Sequence, residues 1–184
     1  MTIFNELREL GNNETISKND ILTIIKHYAR KMRLYDEIIA SGYLKKEGEY
    51  IQKSYREEYL KVTIKYFLGR LEKIKNDDND YPKNIKKENF LNSLNILENQ
   101  YNEQMKEIDS QSNKTPLMYT IISIYTTFIL EESIHPINTP FPANQKIIFK
   151  NGIYYCPVKH NNIKNPTALC KLCIAHEIEE LDNK

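Results

Sequence analysis

Between Lys114 and Glu131 the chain runs sixteen residues without a charge. Thr115-Pro116 opens this stretch as a helix start, Thr as N-cap and Pro at the first helical position, whose missing N–H costs nothing there. A helix that is apolar on every side cannot lie on a surface, so Leu117 to Leu130 must be enclosed by other elements. A membrane span is the competing reading. It needs about 20 apolar residues, whereas this stretch is shorter and holds four Thr and one Ser. The chain is therefore expected to fold as helices laid around a buried central one.

Such helices are present in the pattern. Met1 to Leu10 reads as a short amphipathic helix. Ser17 and Asp20 form a capping box before Ile21, Ile24, Ile25, Tyr28, Met32, Tyr35 and Ile39, a single helical run that Gly42 ends. Leu60, Ile64, Phe67, Leu71 and Ile74 recur at helical steps, predicting a helix over 49–75. The acidic, Asn-rich stretch from Asn76 to Pro82 breaks it. Phe90, Leu94, Leu97, Tyr101, Met105 and Ile108 predict a third long helix over 86–109.

At 184 residues, the chain is long enough for one compact domain with an appendage. Its 26 Lys and Arg against 25 Asp and Glu generate no global field toward DNA or an anionic membrane. No basic, apolar leader opens it, which predicts a cytoplasmic protein; three thiols in a reducing compartment then favour metal or redox chemistry over disulfides.

From His135 the texture changes. Pro136, Pro140 and Pro142 exclude a helix and predict a rigid extended loop. Asn151-Gly152 between apolar runs predicts a β-hairpin, because both residues tolerate positive φ, and its second strand carries Cys156 outward. Asn165-Pro166 repeats the cap-then-proline start and predicts a last helix over 167–181, with Cys170, Cys173 and His176 at successive three-residue steps. The fold class expected is mainly α, a multi-helix bundle over 1–134 with a small C-terminal β-hairpin plus helix subdomain over 135–184.

Cys156, Cys170 and Cys173 are the only thiols, all in the last thirty residues. Thiolates with nearby imidazoles are the donors that zinc and iron-sulfur clusters select. The three cysteines are predicted to hold one metal ion, zinc, in an outline like a treble-clef module; the knuckle's second Cys is missing, since Val158 or Lys159 stands at its place. For the fourth ligand His135 is favoured because its loop is rigid, with His160 and His176 as the alternatives. A [4Fe-4S] cluster would need only the three thiolates. The duller reading makes the cysteines buried hydrophobes of an unmetallated helical scaffold. A redox dithiol would place Cys-x2-Cys at a helix N-terminus after a strand, which this sequence does not.

Glu132-x2-His135 has the spacing of a di-iron bundle motif, but no second copy exists. Lys146, Lys150, Lys159, Lys164 and Lys171 give residues 146–173 five cations and no acid, with Phe149, Tyr154 and Tyr155 among them. This set offers a grip on nucleic acid or on a protein partner; more often it is a solvated face.

The run from His135 to Pro142, then Gly152-Ile-Tyr-Tyr-Cys156-Pro-Val-Lys159, then Asn165-Pro-Thr-Ala-Leu-Cys170-Lys-Leu-Cys173-Ile-Ala175, resembles the C-terminal signature of a protein family of methanogenic archaea with no assigned activity. The resemblance is strong over the last quarter of the chain. It implies that the His-Pro loop and all three cysteines belong together, which favours His135 over His160 and His176. It also implies an anaerobic cytosol where iron-sulfur clusters are at home. The functional expectation is a metal-bearing binding module, with an open-site metalloenzyme bordered by His135, Glu131 and Glu132 as the alternative.

Overall fold

The computed structural model describes residues 2–107, 113–165 and 168–178. Seven α-helices are found there: α1 Ile3–Glu9, α2 Lys18–Arg30, α3 Leu34–Glu47, α4 Lys53–Lys75, α5 Lys87–Glu107, α6 Thr115–Ile124 and the single turn α7 Lys159–Asn162. A two-residue ladder joins β1 Ile16–Ser17 to β2 Asn84–Ile85, antiparallel. The C-terminal sheet has the order β3 Ile148–Lys150, β4 Ile153–Cys156, β5 His176–Glu177. The protein is mainly α with a small C-terminal sheet, as its patterning implies.

The charge-free segment occupies the centre. α6 packs against α2, α3, α4 and α5, and Met118, Ile121, Ile124 and Tyr125 are sealed from solvent among Ile21, Ile25, Leu71, Ile74, Phe90 and Leu94. Its start is one position off the expected one. Asn113 Oδ1 accepts from the Thr115 N–H and hydroxyl, so an asparagine upstream supplies the cap and Pro116 sits in the first turn.

Two expectations fail in this half. The run from Ser17 to Gly42 is two helices, with Ser17 capping the first as predicted through the Asn19 N–H. The break falls at Arg33, which is extended; Asp36 accepts from its N–H at 2.8 Å and starts α3 without a Ser, Thr or Asn cap. Gly42 then lies inside α3, which continues to Glu47. The α5 expectation holds as far as Glu107; its last residues, Ile108 and Asp109, lie outside the described residues.

The central helix leaves α geometry before it ends. Residues 125–129 form a π turn, closed by the Leu130 N–H on the Tyr125 carbonyl. The wider turn places the Tyr125 hydroxyl on Asp77, in the loop after α4. Tyr81 donates to the same carboxylate oxygen at 2.8 Å, and the Asn79 N–H and amide donate to the other at 3.0 and 2.7 Å. Burial alone would raise the Asp77 carboxyl, but the hydrogen bonds from Tyr125, Asn79 and Tyr81 outweigh it and hold the group below the ordinary carboxylate value.

The π turn ends against Lys18, which is 4% exposed. Its ammonium donates to the Ile129 carbonyl at 3.1 Å and to Glu131 at 2.6 Å. The next acid, Glu132, takes Arg70 of α4. Glu131 adopts φ +55°, the left-handed region that non-glycine residues enter rarely, and this sends the two adjacent acids to different helices.

Replacing Asp77 by Asn should lower unfolding free energy at neutral pH by about 1–3 kcal/mol, the cost of weakening a buried acceptor that four donors address. Since the folded carboxyl titrates below its unfolded value of about 3.9, its contribution is complete above that pH and fades below it. Urea unfolding of both proteins should show the difference narrowing from pH 7 to pH 3. A constant gap would contradict the network.

Candidate metal centre

Beyond Glu132 the chain forms a loop held by its own backbone. The Ser133 hydroxyl donates to the His135 carbonyl, and the Thr139 N–H and hydroxyl both reach the Pro136 carbonyl, at 3.1 and 2.7 Å. Asn138 turns it with φ +68°, and Phe141 N–H closes it on the Gln145 carbonyl at 2.9 Å. The loop is irregular and closed by its own hydrogen bonds, with no α-helix across its prolines. It sets the His135 ring edge-on to Phe141, ring centres 5.4 Å apart. Burial pushes the imidazole down to about pH 4, so it is neutral at physiological pH and keeps a lone pair on one nitrogen.

Asn151 and Gly152 turn the hairpin with φ +52° and +79°, as their identities require. Cys156 ends β4, buried, and its sulfur faces the backbone N–H groups of Val158 and Lys159 in the following turn. Cys156, Phe141, Ile147 and Ala175 form a small second core, with Tyr154, Val158 and Cys173 packed around it.

The predicted last helix is not formed among the described residues. Leu169–Lys171 makes one 3-10 turn, then the chain extends and pairs as β5 with β4, parallel, with Tyr155 opposite His176 and Cys156 opposite Glu177. Residues 166–167 and 179–184, which the expected helix also covered, lie outside the described residues. The reason is competition for backbone partners. An adjacent strand takes the segment's hydrogen bonds, and the Lys159 ammonium takes the carbonyls of Cys173 and Ala175, leaving no driving force for helix.

Cys156 and Cys173 nevertheless share the small second core, and Cys170 is within electrostatic reach of both. None is in a disulfide. Burial pushes up the thiols of Cys156 and Cys170; Cys173 adds to both shifts and Cys156 adds to that of Cys170, while nearby Lys159 opposes. Cys173 Sγ accepts from the Ile134 N–H at 3.5 Å, one residue before His135. Strand end, 3-10 turn and His-Pro loop thus meet in one place. Among the described residues, no three His, Cys, Asp or Glu side chains stand close enough together to hold a metal ion as they are.

The other sequence candidates lie further out. His160 is exposed on α7, its Nδ1 3.0 Å from Glu177. His176 is exposed on β5, its ring centre 6.2 Å from Tyr155. Glu132 is occupied by Arg70. The five lysines do not make one face: Lys146 reaches Glu58 of α4 at 3.4 Å and Lys159 turns inward. That inward clamp, like Lys18 and Arg70, has no signature in sequence, where each lysine or arginine reads as solvated.

Over residues 17–178 the chain matches the family described as "Uncharacterized protein conserved in archaea (DUF2115)". It is 28% identical over 160 residues to a UPF0305 protein of Methanothermobacter thermautotrophicus, covering 87% of this chain and 96% of that one. It is 30% identical over 168 residues to UPF0305 protein MmarC6_0221 of Methanococcus maripaludis, covering 85% and 94%. UPF0305 protein MJ0646 of Methanocaldococcus jannaschii is 28% identical over 159 residues, covering 85% and 94%. No solved structure matches the chain.

Changing Lys159 to Met removes the donor to two carbonyls of the C-terminal segment. Amide hydrogen exchange over residues 169–177 should accelerate about tenfold or more, since an acceptor left without its partner costs about 1–3 kcal/mol locally. Amides of Leu94 and Ile121 should stay protected. Unchanged protection at Cys173 and Ala175 would contradict the clamp.

Proposed function

We propose, for a chain that belongs to the archaeal DUF2115 family, that Cys156, Cys170 and Cys173 hold one metal ion with His135 as the fourth ligand. The ion is zinc and its role is structural. It ties the hairpin, the His-Pro loop and the C-terminal segment into one module on the helical bundle, whose function is to bind a protein partner. A site of this kind belongs in a reducing compartment, the cytoplasm. No helix among the described residues is long and apolar enough to cross a membrane.

One observation supports the reading: Cys156 and Cys173 pack into one small core with Cys170 within electrostatic reach of both, and that core includes Phe141, against which the neutral His135 ring sits. N–H groups at the sulfurs of Cys156 and Cys173 suit thiolates, because they stabilise negative charge there. Zinc would draw the sulfurs to about 2.3 Å from a common centre. A cluster this small cannot stabilise itself by burial alone, whereas metal binding energy becomes folding energy. Support for an interaction role comes from exposed Ile148 and Phe149 on the open edge of the C-terminal sheet.

A second reading, a [4Fe-4S] cluster, is favoured by the count of three thiolates with His160 and His176 set apart. Anaerobic purification with elemental analysis separates the two: colourless protein with one zinc per chain, or brown protein with iron and sulfide. Cys170→Ser should lose the metal and the protection of residues 135–178 while retaining helical circular dichroism. Zinc uptake should release protons, because burial and mutual repulsion keep Cys156 and Cys170 protonated before binding. Metal-free protein that takes up neither, or a Cys170→Ser variant with undiminished metal, would end the proposal.

A further inference from the structure

A cleft of about 560 Å³ lies where α5, the π turn and residues 171–174 meet, within the size range of small-molecule sites. Three irregular features converge on it. The π turn supplies Thr127 and Phe128 to its wall, and such turns recur at functional sites. Positive-φ Glu131 lines it as well. Thr127, 5% exposed, holds a buried hydroxyl with no hydrogen-bond partner among the described residues.

The chemistry of the lining is specific. Lys86, just before α5, and Lys171, in the 3-10 turn, both line the cleft, and no carboxylate among the described residues pairs with either. Glu131 contributes no free charge, because Lys18 holds its carboxylate at 2.6 Å. The amides of Asn89 and Asn92 face the cleft from successive turns of α5, near the helix's N-terminal end, whose dipole adds positive potential. Phe128 and Ile96 give it an apolar side.

We propose that this cleft binds a small hydroxylated organic phosphate. A phosphate monoester carries nearly two negative charges at neutral pH, which matches two lysines that no acid among the described residues pairs. Amides on α5 address hydroxyl groups of the ligand, and Phe128 with Ile96 covers its carbon skeleton. The proposal does not rest on the metal reading.

Ribose 5-phosphate and inorganic phosphate, titrated into the full chain by calorimetry and by NMR, test it. Ribose 5-phosphate should bind saturably and at least about tenfold more tightly than inorganic phosphate, moving the amide signals of Ser93, Thr127 and Leu172. Lys86→Gln and Lys171→Gln should each weaken it about tenfold, the scale of one charged hydrogen bond. Lys106→Gln, at the far end of α5 and paired with Glu103, should leave binding unchanged and controls for net charge. No saturable binding at millimolar concentration, equal affinity for inorganic phosphate, or full binding by the Lys86 and Lys171 double variant overturns the proposal. Because both lysines are exposed, these variants retain the fold, which the unchanged remainder of the NMR spectrum verifies.

Discussion

Two ion pairs at the exit of the buried central helix set the course of everything C-terminal to it. Lys18 and Arg70, from α2 and α4, are both enclosed by protein and each needs a carboxylate there. A buried ammonium or guanidinium without one would cost several kcal/mol. The adjacent acids Glu131 and Glu132 satisfy both, but only because Glu131 enters the left-handed region and separates their directions. The π turn before them follows from the same need, since its carbonyl at Ile129 receives the Lys18 ammonium.

The chain leaves this clamp in a fixed direction, and the His-Pro loop starts from it. Ser133, Thr139 and Phe141 then close the loop on itself, so His135 arrives against Phe141 and the Ile134 N–H arrives at the Cys173 sulfur. A shifted exit would carry the imidazole away from Phe141 and that N–H away from the Cys173 sulfur.

The segment from Cys170 to Ala175 borders three surroundings. Leu172 enters the main helical core, while Cys173 and Ala175 join the small core of the hairpin. Lys171 and Ile174 meanwhile face the cleft along α5. The 3-10 turn at Leu169–Lys171 and the extended residues after it thus join bundle, small core and cleft. A helix in its place would have put Cys170 and Cys173 on one stripe and left Leu172 to choose a single neighbour.

What neighbouring residues decide among themselves was written in the chain: the Ser17 cap, the charge-free helix, the Asn151-Gly152 turn and the gathering of all thiols near the C-terminus. Each depends on chemistry spanning a few positions, so local identity suffices. The break at Arg33, the π turn and the strand at His176 depend instead on partners brought by folding. Three-residue spacing of Cys170, Cys173 and His176 is compatible with a helix, and only the strand beside it and the inward Lys159 tip the segment to extended form. Lys18 finds Ile129 across 111 positions; no pattern near either residue encodes that meeting, because a buried charge takes whatever acceptor the packed chain presents.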